Sequence, residues 1–259
     1  MLIGGLQKFS LLDYPGHVAA IIFTQGCNFR CQFCYNPMLV WPDCLACPQL
    51  AGGTTEVGKL KNSSSSKDEG IKKVHPLIKE GDLFDFLKNR VGKLDGVVIS
   101  GGEPTIQSDL PEFLAKIKKL GFKVKLDTNG TNPTMLKKIL AKKLVDYIAM
   151  DIKAPADKYE RVTGAKLQFP KIEKSIKIIR ESGLPYEFRT TIVPGLHSRE
   201  DVKVMGKMIE GAEKWFLQFL KSDADLINSK LQGTKPYSKK DMEEFKKIGL
   251  SYVKKCEIR

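Results

Sequence analysis

The sequence predicts an α/β fold of parallel strands, as a barrel or a doubly wound sheet, and three features predict it. Short apolar or β-branched runs recur along the chain. Helical patterns with one apolar face lie between them. Polar, glycine-rich stretches follow the runs in constant phase, at the edge where parallel α/β folds gather their functional groups.

The runs are VAAIIFT (18–24), GVVIS (96–100), FKVKLD (122–127), VDYIAM (145–150), YEFRTTIV (186–193) and WFLQFL (215–220). Each has strand length. In the clearest helical pattern, Leu110, Phe113, Leu114, Ile117 and Leu120 share a face, opened by Ser108-Asp109 and ended by Gly121. Asn132-Pro133 opens another, with Leu136, Ile139 and Leu140 inward. A third groups Ile172, Ile176 and Ile179 between Pro170 and Gly183, and a further helix is expected near 239–248. Six strands interleaved with helices imply six βα units in a single domain, 1–259, with a C-terminal extension over 221–259.

The segment 41–75 breaks this rhythm. It has little apolar material beyond its first ten residues, and NSSSSKDEG has the composition of a flexible linker. It reads as an insertion after the first strand. Its Cys44 and Cys47 form half of a metal site, with only His75 or Cys256 as further ligands. The preferred reading is a mobile, metal-free loop.

With 259 residues, 42% hydrophobic content and 13 Phe, the chain can bury a substantial core. No run approaches the ~20 apolar residues of a membrane helix, and MLIGGLQKF lacks a signal peptide's apolar stretch. A cytoplasmic chain is expected, in which clustered cysteines favour metal over disulfides. The formal charge of +13 invites nucleic acid, but the lysines are paired on polar helix faces, as in KIKKL (116–120) and LKKIL (136–140). No basic run interleaved with aromatics is present, so no nucleic-acid partner is expected. The preferred reading of the lysines is solvated helix faces, with an acidic protein partner as the exception.

Candidate chemistry lies at the strand ends. TQGCNFRCQFCYNP (24–37) holds Cys27, Cys31 and Cys34 at spacing C-x3-C-x2-C, half of the six cysteines. Four thiolates would complete a zinc site or fully ligate a cubane cluster; three leave a position open. Ser100-Gly101-Gly102-Glu103-Pro104 ends the second run, Asp127-Thr128-Asn129-Gly130 the third, Asp151-Ile152-Lys153 the fourth, and Arg189 through Pro194-Gly195 the fifth. Singly, each reads as a turn; together they converge on one mouth.

A C-x3-C-x2-C loop after a first strand, with Phe33 before the third cysteine and a following Gly-Gly-Glu, closely resembles the radical S-adenosylmethionine (SAM) enzymes. The resemblance implies a partial (β/α)6 TIM-type barrel with a flexible insertion after the first strand. It implies a [4Fe-4S] cluster held by Cys27, Cys31 and Cys34, whose fourth iron is chelated by SAM. Phe33, Gly101, Gly102 and Glu103 match positions of the SAM site, where glycines let backbone approach closely and a carboxylate suits an ammonium.

SLLDYPGHVAAIIFTQGCNFRCQFCYNP, LDTNG (126–130), MDIK (150–153) and TTIVPG (190–195) are similar to the glycyl-radical-enzyme activases, from about Gly5 to about Phe219. The lead-in QKFSLLDYPGHVAAIIFTQGCNFRC resembles activators of anaerobic ribonucleoside-triphosphate reductase more than those of pyruvate formate-lyase. Asp127, Thr128, Asp151 and Lys153 are then expected to line the SAM pocket; the alternative for the last two is a surface ion pair. In such enzymes the reduced cluster cleaves SAM, and the resulting radical takes a hydrogen from a glycine of a glycyl radical enzyme. Reduced flavodoxin or ferredoxin is the expected electron donor. Tyr35 stands where the group commonly has His, and the two cysteines of the insertion are too few for a ferredoxin-like module. A radical SAM enzyme for a small molecule or nucleobase, such as a deazapurine-forming synthase, is the competing class. A non-catalytic electron carrier is the third, and it leaves GGEP and DTNG without a task.

Overall fold

The computed structural model describes residues 1–40, 76–166 and 168–259. Cys44, Cys47, His75 and the whole predicted insertion lie outside the described residues.

The strands are β1 (Ile3–Ser10), β2 (Ala19–Thr24), β3 (Gly96–Gly101), β4 (Lys123–Thr128), β5 (Tyr147–Asp151), β6 (Tyr186–Ile192), β7 (Lys214–Phe219) and β8 (Lys255–Ile258). The helices are α1 (Pro37–Val40), α2 (Glu80–Lys88), α3 (Leu110–Lys119), α4 (Pro133–Ala141), α5 (Tyr159–Thr163), α6 (Pro170–Arg180), α7 (Arg199–Met208) and α8 (Lys239–Leu250). All eight strands form one sheet whose spatial order follows chain order. β2 through β8 run parallel, and β1 pairs antiparallel with β2.

The six predicted runs became β2 to β7, the expected βα units. Two strands were not anticipated. β1 carries two glycines and little alternation, and its pairing with β2 is shifted between Ile3 and Gly5. β8 is four residues long, KCEI, and places the thiol of Cys256 inward, against Trp215 and Gly249. That packing gives Cys256 a core role.

The sheet curves. Tyr147 of β5 shares an apolar cluster with Ala19 and Ile21 of β2, completed by Tyr14 and Val98. A flat sheet would hold β2 and β5 about 14 Å apart. The second, larger core lies between the convex face and the helices, whose inward residues include Leu110, Phe113, Leu114, Ile117, Leu136, Ile139, Ile172, Ile176 and Ile179. Leu140 packs against this core while staying partly exposed. Ser198 and Asp201 box the start of α7, and Ser238 and Asp241 that of α8, each satisfying helix-end N–H groups reciprocally.

This arrangement brings the C-terminal ends of the parallel strands to one rim. Alternate residues of β4, β5 and β6 face the concave side there, and that placement builds the site.

Candidate active site

The loop after β2 carries the three cysteines, and it is held from several directions. Its Gly26 N–H bonds the Leu39 carbonyl at 2.7 Å. The Arg30 and Gln32 N–H groups bond the Thr163 and Val162 carbonyls of α5 at 2.7 and 3.2 Å. The Arg30 guanidinium reaches back to the carbonyls of Cys27 and Phe29. On the barrel side, Asn28 donates to Thr131 Oγ1 and accepts from Asn129 Nδ2, both at 2.9 Å.

The three thiols lie close enough to influence one another. Burial raises all three, with Cys31 pushed up to about 12, and neighbouring Cys31 pushes Cys27 further up. Among the described residues no three His, Cys, Asp or Glu side chains close around a single ion. A cubane, whose irons sit at separate corners, needs no such closure.

The glycine turn after β3 lies against this loop. Gly101 adopts φ +110°, and a Cβ there would collide with the Thr24 backbone; one on Gly102 would collide with the Gly26 carbonyl. The Gly102 and Glu103 N–H groups bond the carbonyls of Thr24 and Gly26, each at 2.9 Å. The glycines therefore allow two backbones to touch. The Glu103 side chain is 1% exposed. Its Oε1 accepts from Thr105 N, Thr105 Oγ1 and Thr128 Oγ1, and its Oε2 from Asn129 N. Burial raises its pKa in spite of these donors.

A chain of charges crosses the rim. Lys125 Nζ lies 2.5 Å from Asp127 Oδ1, and Arg189 Nη1 donates to Asp127 Oδ2 at 3.0 Å. Arg189 Nε donates to Asp151 Oδ1, and Lys153 Nζ to Asp151 Oδ2, both at 2.9 Å. Burial alone would raise both carboxyls, but Arg189 and its lysine partners outweigh it; Asp151 falls to about 2 and Asp127 is also lowered. Conversely Asp151 outweighs the burial of Lys153 and holds its ammonium charged. The Asp151–Lys153 pair is thus one link in a sheltered network, which departs from an isolated surface pair.

The network meets the cysteine loop at Phe33. Lys153 Nζ stands 5.8 Å from the centre of its ring, and His197 meets the ring edge-on at 6.2 Å. His197 is itself fixed: its Nδ1 accepts from Val193 N at 3.0 Å, so Nε2 carries the proton and donates to the Lys153 carbonyl at 2.8 Å.

The structure thus brings Cys27, Cys31, Cys34, Phe33, Gly101, Gly102, Glu103, Asp127, Thr128, Asp151 and Lys153 to one rim. Sequence reasoning missed Lys125, whose signal was its spacing of two from Asp127. It also missed His197 and residues 226–228. The Ile227 and Asn228 N–H groups bond the carbonyls of Cys34 and Gln32 at 3.2 and 2.9 Å.

The model of the radical SAM superfamily matches residues 21–208. A Methanocaldococcus jannaschii protein provisionally named a glycyl-radical enzyme activating enzyme is 30% identical over 264 residues, covering 100% of this chain and 95% of that protein. The pyruvate formate-lyase-activating enzyme of Clostridium pasteurianum is 31% identical over 215 residues, 80% of this chain and 76% of that one. Among solved structures, Streptococcus suis SuiB bound to S-adenosylmethionine superposes with a TM-score of 0.59 at 16% identity, covering 92% of this chain and 49% of SuiB. That likeness concerns the fold, and this chain spans about half of SuiB. Among the described residues no helix is long and apolar enough to cross a membrane. A superfamily match over most of the chain, joined to an activating-enzyme relative along its whole length, leaves one conclusion: the chain belongs to the radical SAM superfamily and, within it, to the glycyl-radical-enzyme activating enzymes, oxidoreductases that work with a [4Fe-4S] cluster and SAM.

Proposed function

We propose that this chain installs a glycyl radical on an anaerobic ribonucleoside-triphosphate reductase, with reduced flavodoxin or ferredoxin as electron donor. The observation that carries the choice of partner is QKFSLLDYPGHVAAIIFTQGCNFRC (7–31), which resembles activators of that reductase and runs from β1 through β2 into the cysteine loop. A second reading, activation of pyruvate formate-lyase, is favoured by the Clostridium pasteurianum relative.

The donor set fits a site-differentiated cluster. Three sheltered thiols share one loop, and the side-chain-free turn at Gly101-Gly102 lies against that loop. Cys27, Cys31 and Cys34 would hold three irons. When bound, the cluster supplies the electron that cleaves SAM reductively.

The other residues bind, orient and shield. Asp127, Thr128, Asp151 and Lys153 present fixed charges and a hydroxyl at the rim, and Arg189 keeps the two carboxylates ionised and in register. Phe33, buried against the loop, keeps water from that side of the thiols. The four protein donors on Glu103 assign its carboxylate to pinning the turn after β3 to the turn after β4. Its main chain, beside Gly26, is the part that faces the cysteine loop.

The test is incubation of anaerobically reconstituted protein with SAM, reductant and each candidate partner, read by electron paramagnetic resonance. A SAM-dependent glycyl radical on the reductase supports the proposal, and one on pyruvate formate-lyase alone transfers it to the second reading. Turnover of a small molecule or nucleobase with no glycyl signal on either partner would sink the activase role.

A further inference from the structure

We infer that Asn228, in a segment outside the span matched by the superfamily model, is a positioning residue for the cluster: it grips Gln32, which lies between two of the ligand cysteines. The inference is independent of which partner enzyme is activated.

Four polar groups form a directional chain here. The Lys230 N–H donates to Asn228 Oδ1 at 3.1 Å. Asn228 Nδ2 donates to Gln32 Oε1 at 2.8 Å, and Gln32 Nε2 donates to the Arg161 carbonyl at 2.8 Å. Both ends are main-chain groups whose donor or acceptor character is fixed. Flipping either carboxamide would therefore set donor against donor or oxygen against oxygen. Only one orientation of the pair satisfies the whole chain.

The main chain repeats the grip. The Gln32 N–H bonds Val162 O, and its carbonyl accepts from Asn228 N. The neighbouring Ile227 N–H bonds the Cys34 carbonyl. Gln32 is thus held by four bonds, two to α5 and two to Asn228, on a loop that has no helix or strand of its own. Leu226, 3% exposed, anchors the strap in the core. Cys31 precedes Gln32 and Cys34 follows two residues later, so holding Gln32 fixes the spacing of two thiolates.

An iron–sulfur cluster leaves a protein when its thiolates swing apart, and the frequency of that opening depends on the tethers. Asn228→Asp probes this with an isosteric change: it keeps the acceptor for Lys230 and removes the donor to Gln32. Gln32→Glu keeps the acceptor for Asn228 and turns an oxygen toward the Arg161 carbonyl. Reconstituted holoprotein would be mixed anaerobically with a ferrous chelator and iron release timed, with thermal unfolding of the cluster-free variants alongside. Each single variant is expected to release iron about five- to tenfold faster, as loss of one hydrogen bond implies. The double variant Asn228→Ala/Gln32→Ala, which sets no two carboxylates face to face, is expected to be no faster than the faster of the two single alanine variants, because both break the same chain, and the unfolding midpoints should match wild type. Release at the wild-type rate would overturn the inference. So would fully additive effects, or an acceleration matched by a proportionate fall in the midpoint of the cluster-free chain.

Discussion

Glu103 Oε2 accepts the main-chain N–H of Asn129 at 2.6 Å, so a carboxylate from the turn after β3 closes the turn after β4. Glu103→Ala would leave four buried donors without their acceptor. A loss of about 3 kcal/mol or more is expected from unpaired buried groups. Denaturant unfolding of the cluster-free protein reads it, and SAM affinity should fall as the two turns loosen. An unfolding midpoint within error of wild type would contradict the pinning role.

Cys27→Ala, Cys31→Ala and Cys34→Ala are each expected to abolish reductive SAM cleavage and to lower bound iron well below four per chain. Two thiolates neither hold a cubane firmly nor leave one iron distinct. Iron analysis and 5′-deoxyadenosine production provide the check. Normal product formation from Cys27→Ala would remove the assignment.

Arg189 is the hub of the charge chain, and Arg189→Lys should not be conservative. A lysine reaches one carboxylate where the guanidinium reaches two. One aspartate is then left sheltered and half-paired, at a cost of about 3 kcal/mol. Because Asp151 is held near 2, the stability it contributes is full above about pH 3.9 and is lost only as pH falls through about 2. Acid titration of wild type and Arg189→Lys should therefore show the variant losing stability at the higher pH. Superimposable acid transitions would count against the hub.

His197 loses its contribution in the same direction, but starting from a higher pH. Burial lowers its folded-state value, aided by Lys158 and Arg161 and opposed by the Lys153 carbonyl and Asp201. The unfolded chain then binds a proton below about pH 6.5 that the folded chain refuses. Stability from this group is complete above that pH and declines as pH drops toward the folded value. His197→Gln should lower stability at pH 7.5, and the gap to wild type should narrow at pH 5.5. Parallel stability–pH curves would dispose of the idea.

The six βα units were legible because five of the six strand runs end in a polar turn of recognisable chemistry, as with Ile99 before Ser100-Gly101-Gly102. β1 was not, since Gly4 and Gly5 carry no side chain to mark a face and the strand exists only through its pairing with β2. Lys125 drew no reading of its own in KVKLD, because alternation says which residues share a face and not what that face meets. Here the face is the inside of a curved sheet, where Asp127 waits. Asn228 left no pattern at all: its partner Gln32 is remote in sequence and occupies a spacer position of the cysteine motif.

Strand order equal to chain order lets the sheet be laid down pair by pair as the polypeptide leaves the ribosome, each new strand docking on the last. The strap is the exception, joining positions 196 residues apart. A nascent chain that stops short of residue 226 has seven of the eight described strands, but its cysteine loop lacks the bonds from Ile227 and Asn228 to Cys34 and Gln32. If the strap governs iron release as inferred, a cluster set into such a shortened chain would be held less firmly than one set in after residues 226–228 have docked.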